Sequence, residues 1–578
     1  MKKKLEYQQY FDQKLNLEKK VNTIATLRGI IFIVMIMSFI LKYYYYQTFF
    51  QIIFILSLIA FLGLIFIHEK YFKQYHYYET YLKIINKYLD RENGKWKNSK
   101  ETGEEFLEEN TSYLKDLDII GQNSLFQYLS VCKTVGGKRK LFQKLQNPKL
   151  SSVSLKKEQE AIEELANDPN WMINYQVEMQ NYDQKEIDLS KVFNAIQKEE
   201  KTPSKDYLIA GGCTMLSFIL LISGIFHFVS LKYFYGMFLF NYLISFMYTF
   251  IYQEDFQNIT TLITAYNKIP SIVKVILTKE FHSFKLKKIE KEVVSSQQIT
   301  NKINHLDTLN SIKDNLLFSF LLNGMFCINL FSRTYFLAFL KKDFSKLKNI
   351  ILAIEELESM ISLAGMGILQ QENCFPHLLE EVEIHFQNLK HPLLQEAICV
   401  PNDFSTTAKV NIITGSNMGG KTSFLRTIGI NLILMNAGTY VCATSFSSAY
   451  LKIFTSMRVN DDIEKGISTF YGELLRIKDA MTYLGHGNML VLIDEIFKGT
   501  NYQDRIYGAK KVIKRLQNKQ VITILTTHDF ELCDEKNISN YHVKEYYEGN
   551  KIKFDYKIRP GKCSSTNAKY LMEKLEII

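Results

Sequence analysis

Four long runs without Asp, Glu, Lys or Arg occur in two pairs along the chain. The four runs are residues 29–41, 43–67, 207–231 and 233–253. A single lysine, Lys42 or Lys232, separates the two runs of each pair. A helix needs about 20 apolar residues to cross the hydrocarbon core of a bilayer. The pattern predicts two transmembrane helical hairpins, at 29–68 and 207–253. The alternative, buried core helices, suits one short apolar run better than four long ones.

Seven basic residues precede the first hairpin, against one lysine in each hairpin turn. They are Lys2, Lys3, Lys4, Lys14, Lys19, Lys20 and Arg28. Because positive residues stay on the cytoplasmic side, we expect a multi-pass membrane protein with both termini and the segment between the hairpins in the cytoplasm. A further apolar stretch, 315–332, contains Asn323, Gly324 and Asn329. It is interpreted as a core helix, with a fifth span as the alternative.

The remaining chain divides into segments of different character. Residues 1–28 form a basic cytoplasmic leader, and residues 69–206 and 254–400 have the apolar periodicity of amphipathic helices. From 401 to 578, short apolar strands alternate with helical patterns, which is typical of a parallel α/β domain.

A glycine-rich loop opens this last segment. A strand pattern at 409–414 precedes the loop, and a helical pattern follows from Ser423. Between them the sequence is G-x-x-x-x-G-K-T, the pattern of a phosphate-binding loop. The predicted nucleotide-binding residues are Gly415, Ser416, Asn417, Met418, Gly419, Gly420, Lys421, Thr422 and Ser423. Backbone N–H groups in such a loop converge on phosphate oxygens, Lys421 bridges the β- and γ-phosphates, and Thr422 binds Mg²⁺.

Two later strands end in polar residues that complete this chemistry. The strand at 488–494 ends in Asp494 and Glu495, and the strand at 520–526 is followed closely by His528. Asp494 is predicted to bind Mg²⁺, Glu495 to orient or deprotonate the attacking water, and His528 to sense the γ-phosphate. The predicted cofactors are therefore ATP and Mg²⁺, and the predicted catalytic residues are Glu495, His528 and Lys421.

These motifs together resemble the ATPase domain of the MutS mismatch-repair family. The motifs that carry the resemblance are Thr414–Thr422, Ser468–Phe470, Asp494–Glu495 with Gly499–Thr500, and Thr527–His528. The resemblance implies an ABC-like α/β P-loop ATPase domain whose site is completed across a homodimer. It implies that Ser468 reaches the nucleotide of the partner, that Asp461 links nucleotide state to the core, and that 561–575 forms a closing helix.

Fainter similarity extends into the helical part. Residues 124–141, 159–165, 355–364 and 391–394 resemble parts of the MutS helical core. The expected architecture is thus an all-α MutS-like core, interrupted by two transmembrane hairpins and followed by the ATPase domain.

The sequence departs from mismatch-binding members of the family in two ways. We expect no room before the first hairpin for a mismatch-binding domain with its Phe-x-Glu wedge. Phe106-Leu-Glu108 matches the letters but lies in an acidic stretch. In addition, the hairpin at 207–253 lies inside the expected core. Any DNA partner, duplex or branched, is therefore expected to bind without mismatch specificity.

Composition adds little to this interpretation. The net charge is +10, but 70 basic residues are interleaved with 60 acidic ones, so the excess does not identify a nucleic-acid surface. The eight cysteines form no C-x-x-C pair, which argues against a zinc site or a disulfide framework.

The sequence favours a Mg²⁺-dependent ATPase tethered to a lipid bilayer and linked to DNA maintenance. The rival hypothesis is an ATP-driven machine that remodels the membrane or transports a substrate. Against it, the spans contain little of the buried charge that marks a substrate path. A third alternative is an ATP-gated scaffold with negligible turnover, which the Asp494–Glu495 pair disfavours.

Overall fold

A computed structural model of the chain describes most of its length. The described residues are 2–45, 48–107, 112–146, 151–180, 204–314, 316–370, 372–407, 409–416, 418–458, 469–548 and 551–563. The chain divides into two compact units, one made of Met1–Asn93 with Asn170–Asn181, the other of Gly94–Pro169 with Tyr182–Ile578.

The helices are α1 (Lys2–Tyr45), α2 (Thr48–Glu92), α3 (Ser112–Asp116), α4 (Leu125–Leu129), α5 (Val135–Gln146), α6 (Ser152–Ala166), α7 (Pro169–Gln180), α8 (Ser204–Ile225), α9 (Lys232–Ile251), α10 (Gln253–Tyr266), α11 (Ile269–Ile276), α12 (Phe284–Ser295), α13 (Gln297–Asp314), α14 (Leu316–Phe326), α15 (Ile328–Leu369), α16 (Lys421–Asn436), α17 (Thr469–Thr482) and α18 (Tyr502–Leu516). The strands are β1 (His377–Leu379), β2 (Glu383–Leu389), β3 (Asn402–Thr407), β4 (Val410–Thr414), β5 (Ser445–Ala449), β6 (Lys452–Ser456), β7 (Met489–Asp494), β8 (Val521–Thr526), β9 (Ile538–Glu548) and β10 (Lys551–Pro560).

The first unit is a long helical hairpin, α1 against α2. Aromatic rings pair along it, for example Phe39 with Phe54 at 5.6 Å between centroids. Tyr77 donates a hydrogen bond of 2.5 Å to Asn174, which ties α7 to α2. Both helices continue as regular helix beyond the limits of 29 and 68 that the apolar pattern predicts. The helices continue through their polar ends, where aromatic pairs bury tyrosine rings. The ring centroids of Tyr10 and Tyr81, for example, lie 4.4 Å apart.

Four helices are long and apolar enough to cross a membrane by length and composition. They are α1 from Tyr7, α2, α8 from Asp206 and α9. Between 6% and 17% of their most apolar windows is buried within the chain, so almost all of that apolar surface faces outward. Both predicted hairpins are therefore present as helical pairs with exposed apolar faces.

The apolar stretch 315–332 is not one core helix. It breaks at Cys327, which has a left-handed φ of 49°, so that α14 and α15 are separate helices. Just after the break, Arg333 on α15 is buried beside the α8–α9 pair, and its Nε donates a 2.7 Å hydrogen bond to Asp255 at the start of α10.

Two sheets form the C-terminal part of the second unit. The smaller sheet has the order β1-β5-β2-β3, and the larger has the order β10-β9-β4-β8-β7-β6. From β9 to β6 the larger sheet is parallel, and β10 pairs with β9 in the antiparallel direction. All five residues of β4 and all six of β8 are buried, because the sheet is covered on both faces.

The 42-residue helix α15 links the helical part to these sheets. Near its C-terminal end, Glu358 accepts hydrogen bonds from the backbone N–H groups of Lys133, at 2.6 Å, and Thr134, and from the Thr134 hydroxyl. These donors lie just before α5, where a carboxylate also interacts favourably with the helix dipole. Glu358 is fully buried, and burial raises its pKa to about 7.

We predict that Glu358 makes the stability of the second unit pH-dependent. Its pKa in the folded chain exceeds the ordinary 4.5, so the stabilisation is present below pH 4.5 and is lost as pH rises through about 7. Glu358→Gln keeps an acceptor oxygen without the titration. Between pH 5 and 8 the wild type should lose about 1–3 kcal/mol relative to this variant, measured by thermal unfolding in detergent.

Glu356→Gln is the matched control. Burial disfavours the Glu356 carboxylate, but Lys144 more than offsets this and lowers its pKa to about 2. Its stability difference from the wild type should therefore stay constant from pH 5 to 8. A difference that is equally flat for Glu358→Gln would contradict the assignment.

Candidate nucleotide-binding site

The glycine-rich loop follows the buried strand β4 at the carboxyl edge of the larger sheet. Gly415 has a φ of 137°, and Gly420 has a φ of 88°. A Cβ atom on Gly415 would come within 2.4 Å of Val543, and one on Gly419 within 2.6 Å of the same side chain. The glycines are required because the loop turns sharply and lies directly against β9. The loop then enters α16 at Lys421, so its N–H groups surround the positive end of a helix dipole.

Lys421 occupies the interior of the loop. Its ammonium nitrogen donates to the carbonyl oxygens of Gly415 at 2.8 Å and Ser416 at 2.9 Å. The side chain is buried, and burial lowers its pKa below the ordinary value. A buried ammonium that donates to neutral carbonyls can gain from the approach of an anion, which supplies compensating charge.

Thr422 and Asp494 lie side by side at the start of α16. The Thr422 hydroxyl donates to Asp494 Oδ2 at 2.8 Å, and the Thr526 hydroxyl donates to Asp494 Oδ1 at 2.6 Å. The three residues come from the helix, β7 and β8, whose ends meet at one edge of the sheet. A hydroxyl and a carboxylate at this distance are oxygen ligands of the kind that Mg²⁺ binds together with phosphate oxygens and water.

Glu495 and His528 face each other beside the loop. His528 Nε2 lies 3.2 Å from Glu495 Oε1 and 3.4 Å from the Lys421 nitrogen. The hydrogen bond from His528, assisted by Lys498 and Lys421, lowers the pKa of Glu495 to about 2. Glu495 also has a left-handed φ of 58°, an uncommon backbone conformation that projects its side chain away from the strand line.

A cavity of about 620 Å³ adjoins the loop. Its polar wall is the loop with Asp494 and Glu495, and its other wall is largely apolar, formed by Leu389, Leu394, Ile398, Val400 and Tyr556. His391 also lines it. Burial, and then the charge of Arg426, lower the pKa of His391 to about 4, so its ring is neutral at neutral pH. The cavity thus joins an anion-binding floor to an apolar pocket.

The described structure brings most of the predicted site residues together. Lys421, Thr422, Asp494, Glu495 and His528 converge, and Gly415, Ser416, Met418, Gly419, Gly420 and Ser423 form the loop and the first turn of α16. Met418 is 83% exposed at the tip of the loop. Asn417, Asp461 and Ser468, and most of the expected closing helix at 561–575, lie outside the described residues.

Sequence reasoning missed a buried carboxylate behind the loop. Glu545 on β9 accepts a 3.0 Å hydrogen bond from the Ser416 hydroxyl. Its side chain is 3% exposed. Glu545 belongs to no motif, and only the pairing of β9 with β4 places it here. Thr526 was missed likewise, although its position as the last residue of a predicted buried strand was a usable signal.

A second missed cluster ties the helical part to the site. The buried Asp116, at the end of α3, accepts hydrogen bonds from the Thr455 hydroxyl at 2.7 Å and from Arg476 at 2.6 Å. Two residues later, Asp118 contacts Arg458 at 2.6 Å and Arg426 of α16 at 3.3 Å. The cluster therefore connects α3 with β6, α16 and α17.

The fold and the site define the class: a largely helical protein with a C-terminal α/β domain, in which a strand, a glycine-rich loop and a helix build an anion-binding edge. Two family models match the chain, MutS domain III over residues 107–391 and MutS domain V over residues 411–572. The chain belongs to the MutS family.

Two similar proteins are MutS proteins themselves. The DNA mismatch repair protein MutS of Aquifex pyrophilus is 29% identical over 235 residues, which cover 39% of this chain and 27% of the relative. The DNA mismatch repair protein MutS of Carboxydothermus hydrogenoformans is 29% identical over 238 residues, 39% of this chain and 28% of the relative. The chain thus spans under a third of the length of these relatives.

We predict that Asp116 is a stability determinant and that Asp118 is not. Asp116→Asn leaves Arg476 and buried donors without a carboxylate, which should cost about 2–3 kcal/mol. Asp118→Asn is the matched control: its short contact is with Arg458, whose side chain is 49% exposed, and its contact with Arg426 is longer at 3.3 Å, so the loss should stay below about 1 kcal/mol. Thermal unfolding of both variants measures the difference. Equal losses would contradict the assignment.

Proposed function

We propose that this protein binds ATP with Mg²⁺ and hydrolyses it at the glycine-rich loop, while its hairpins tether it to a membrane. The observation that carries the proposal is the convergence of Lys421, Thr422, Asp494, Glu495 and His528 beside one loop. Five side chains from three separate chain segments meet there, and each has the chemistry that its place in the site requires.

The residues fit magnesium-bound ATP. The glycines leave a cradle that Cβ atoms would fill, and Lys421 is held inside it by two carbonyl oxygens, with His528 at 3.4 Å. When bound, ATP would supply the phosphoryl group that is transferred, and its magnesium ion would offset the negative charge of the phosphate oxygens. Thr422 and Asp494 are the residues that would hold the metal. The apolar wall around Leu394, Ile398 and Tyr556 suits the base.

Glu495 is proposed to orient the attacking water and accept its proton. Its low pKa keeps it ionised, so it can accept a hydrogen bond from water throughout the physiological pH range. His528 and Lys421 both lower the pKa of Glu495, and they are also the two groups proposed to contact the γ-phosphate. When they turn towards phosphate, Glu495 becomes the stronger base at the stage when a proton must be accepted.

The working site is proposed to be shared within a homodimer. This follows from the motif at Ser468–Phe470, whose serine is expected to reach the nucleotide of the partner. The close packing of Gly499 against Phe470 supports this placement of the serine. A Cβ atom on Gly499 would come within 2.9 Å of the Phe470 side chain. The two interface segments of the motif thus pack together in one chain.

The membrane tether is proposed from the four outward-facing apolar helices. With the basic leader on the inner side, the α/β domain lies in the cytoplasm, where ATP is available.

We predict that Lys421→Ala and Glu495→Gln separate binding from hydrolysis. Lys421→Ala should abolish tight ATP binding, because the buried positive charge is lost. Glu495→Gln should bind ATP normally and reduce turnover by about 10²-fold or more, because only the water loses its acceptor. Nucleotide binding and phosphate release by the detergent-solubilised protein measure both effects.

Lys452→Ala serves as the lysine control. Lys452 lies on β6, where it stacks on Tyr483 at 4.1 Å, away from the loop. It should leave both binding and turnover unchanged. Full turnover in Glu495→Gln would remove Glu495 from the proposed role.

DNA is the proposed client, because the two similar proteins are DNA mismatch repair proteins by name. Binding is proposed to lack mismatch preference. The Phe106 ring packs within the chain and so does not project as a wedge. Its centroid lies 5.8 Å from that of Phe142 and 5.9 Å from the Arg139 guanidinium carbon. In the basic run 138–140, Lys138 and Lys140 pair with Glu101 and Glu356.

Exposed lysines on α12 are better candidates for phosphate contacts. They are Lys287, Lys288 and Lys291. We predict that their joint replacement by Gln lowers the slope of log affinity against log salt by about 2–3. Lys511, Lys514 and Arg515 on α18, replaced together by Gln, form the charge-matched control and should leave the slope unchanged. A single mismatch should change affinity less than tenfold, about 1.4 kcal/mol. A larger preference would reveal a reading element elsewhere.

A membrane machine that does not act on DNA is the second candidate. One observation favours it: α15 runs without interruption from the α8–α9 pair, at Arg333, to the α/β domain, where the Thr439 hydroxyl donates to Leu363 O at 2.8 Å. A rigid helix of this length can transmit movement between the two ends. Absence of DNA binding at low and high salt, with ATPase activity intact, would favour this candidate.

A further inference from the structure

Helix α14 packs lengthwise against the α8–α9 hairpin. The Phe320 ring lies 5.2 Å from Phe238 and 5.0 Å from Tyr242. Gly324 approaches even more closely, since a Cβ there would meet the Phe238 ring at 2.3 Å. Small residues at such crossings allow close helix packing in membranes.

Side chains form hydrogen bonds with backbone groups on both sides of the break between α14 and α15. Asn241 Nδ2, in the middle of α9, donates to the Gly324 carbonyl at 3.0 Å. The Thr214 hydroxyl of α8 lies 3.3 Å from the carbonyl oxygen of Phe326. On the other side of the break, the Asn329 N–H donates to Asn323 Oδ1 at 3.1 Å. A helix end in contact with water would need none of these partners, because water satisfies the free carbonyls. In lipid, a broken helix is tolerated only where the protein supplies these bonds.

The chain enters and leaves this region at the same end of the hairpin. On the entering side, α13 packs against α10, with Thr260 donating to Asn310 at 3.3 Å. On the leaving side, Arg333 contacts Asp206 at the start of α8 and the Tyr252 ring at the end of α9, 3.7 Å from its centroid. Both contacts lie at the end where α8 begins and α10 follows α9.

The outer face of α14 continues the exposed apolar surface of the hairpin. Phe320 and Leu321 are 43% and 49% exposed, and Leu243 and Phe246 on α9 are 50% and 62% exposed. Among the described residues of α14, no Asp, Glu, Lys or Arg occurs. One apolar surface thus extends over three helices.

We propose that α14 and the first turn of α15 form a re-entrant membrane segment, which dips into the bilayer beside α8–α9 and returns to the side it entered from. The occupant of its exposed face is lipid. The proposal rests on the proposed membrane tether and adds a third apolar element to the second unit. The Arg333 cluster lies at the end where the chain leaves the bilayer, close to the interface where a charge can be hydrated.

Four single-cysteine substitutions test this placement. Leu321→Cys probes α14, Leu243→Cys is the matched site on α9, and Leu352→Cys is the matched site on α15 beyond the bilayer. These leucines are 49%, 50% and 41% exposed within the chain. Val294→Cys on α12, 51% exposed, reports the side of the membrane before α14. An impermeant maleimide is applied to sealed vesicles, and each rate is corrected for the unsubstituted chain, whose described cysteines are buried or half-buried.

The expected result is that Leu321→Cys and Leu243→Cys label at least about tenfold more slowly than Leu352→Cys, and that Val294→Cys and Leu352→Cys label from the same side. Detergent should restore labelling of the two slow sites. Rapid labelling of Leu321→Cys with a protected Leu243→Cys would overturn the re-entrant segment and leave the tether intact. Rapid labelling of both would overturn the tether as well. Labelling of Val294→Cys and Leu352→Cys from opposite sides would mean that α14 crosses completely, which also overturns the proposal.

Discussion

The burial of the central parallel strands on both faces is the constraint on which the site depends. Strands β4, β7 and β8 leave no room for charged side chains along their length, so polar groups can stand only where these strands end. Asp494 and Glu495 lie at the end of β7, His528 follows the end of β8, and Lys421 follows the loop that leaves β4. Because parallel strands end at one edge, three separate pieces of sequence meet within hydrogen-bonding distance.

Three buried polar side chains of the second unit join elements that are separate along the chain. Asp116 joins α3 to β6 and α17, Glu358 joins α15 to the start of α5, and Asn241 joins α9 to the end of α14. Each is a side chain that would be costly to bury alone. Together they fix where helices meet, while apolar packing supplies most of the favourable free energy.

Helix α15 connects two kinds of surroundings. At one end it lies among the apolar faces of α8, α9 and α14, and at the other it is buried against the α/β domain. Its length and its anchors at Arg333 and Glu358 make it the physical connection between the α/β domain and the apolar helices. A change at the glycine-rich loop can reach it through α16, because the Thr439 hydroxyl just after α16 donates to Leu363 O of α15 at 2.8 Å.

The sequence by itself determined those features that depend on local order. The apolar runs predicted the four long helices. The bounds of the strand, glycine loop and helix at 409–435 were predicted within two residues, because turns and buried strands depend on residues that are consecutive in the sequence. Tertiary structure alone decided the rest. Glu545 lies behind Ser416 because β9 pairs with β4, and Asp116 meets Arg476 across 360 positions of chain. The stretch 315–332 reads as one apolar helix, yet it breaks at Cys327 because donors from α8 and α9 are present to satisfy its carbonyls. No local pattern contains those partners, since they come together only when the chain folds.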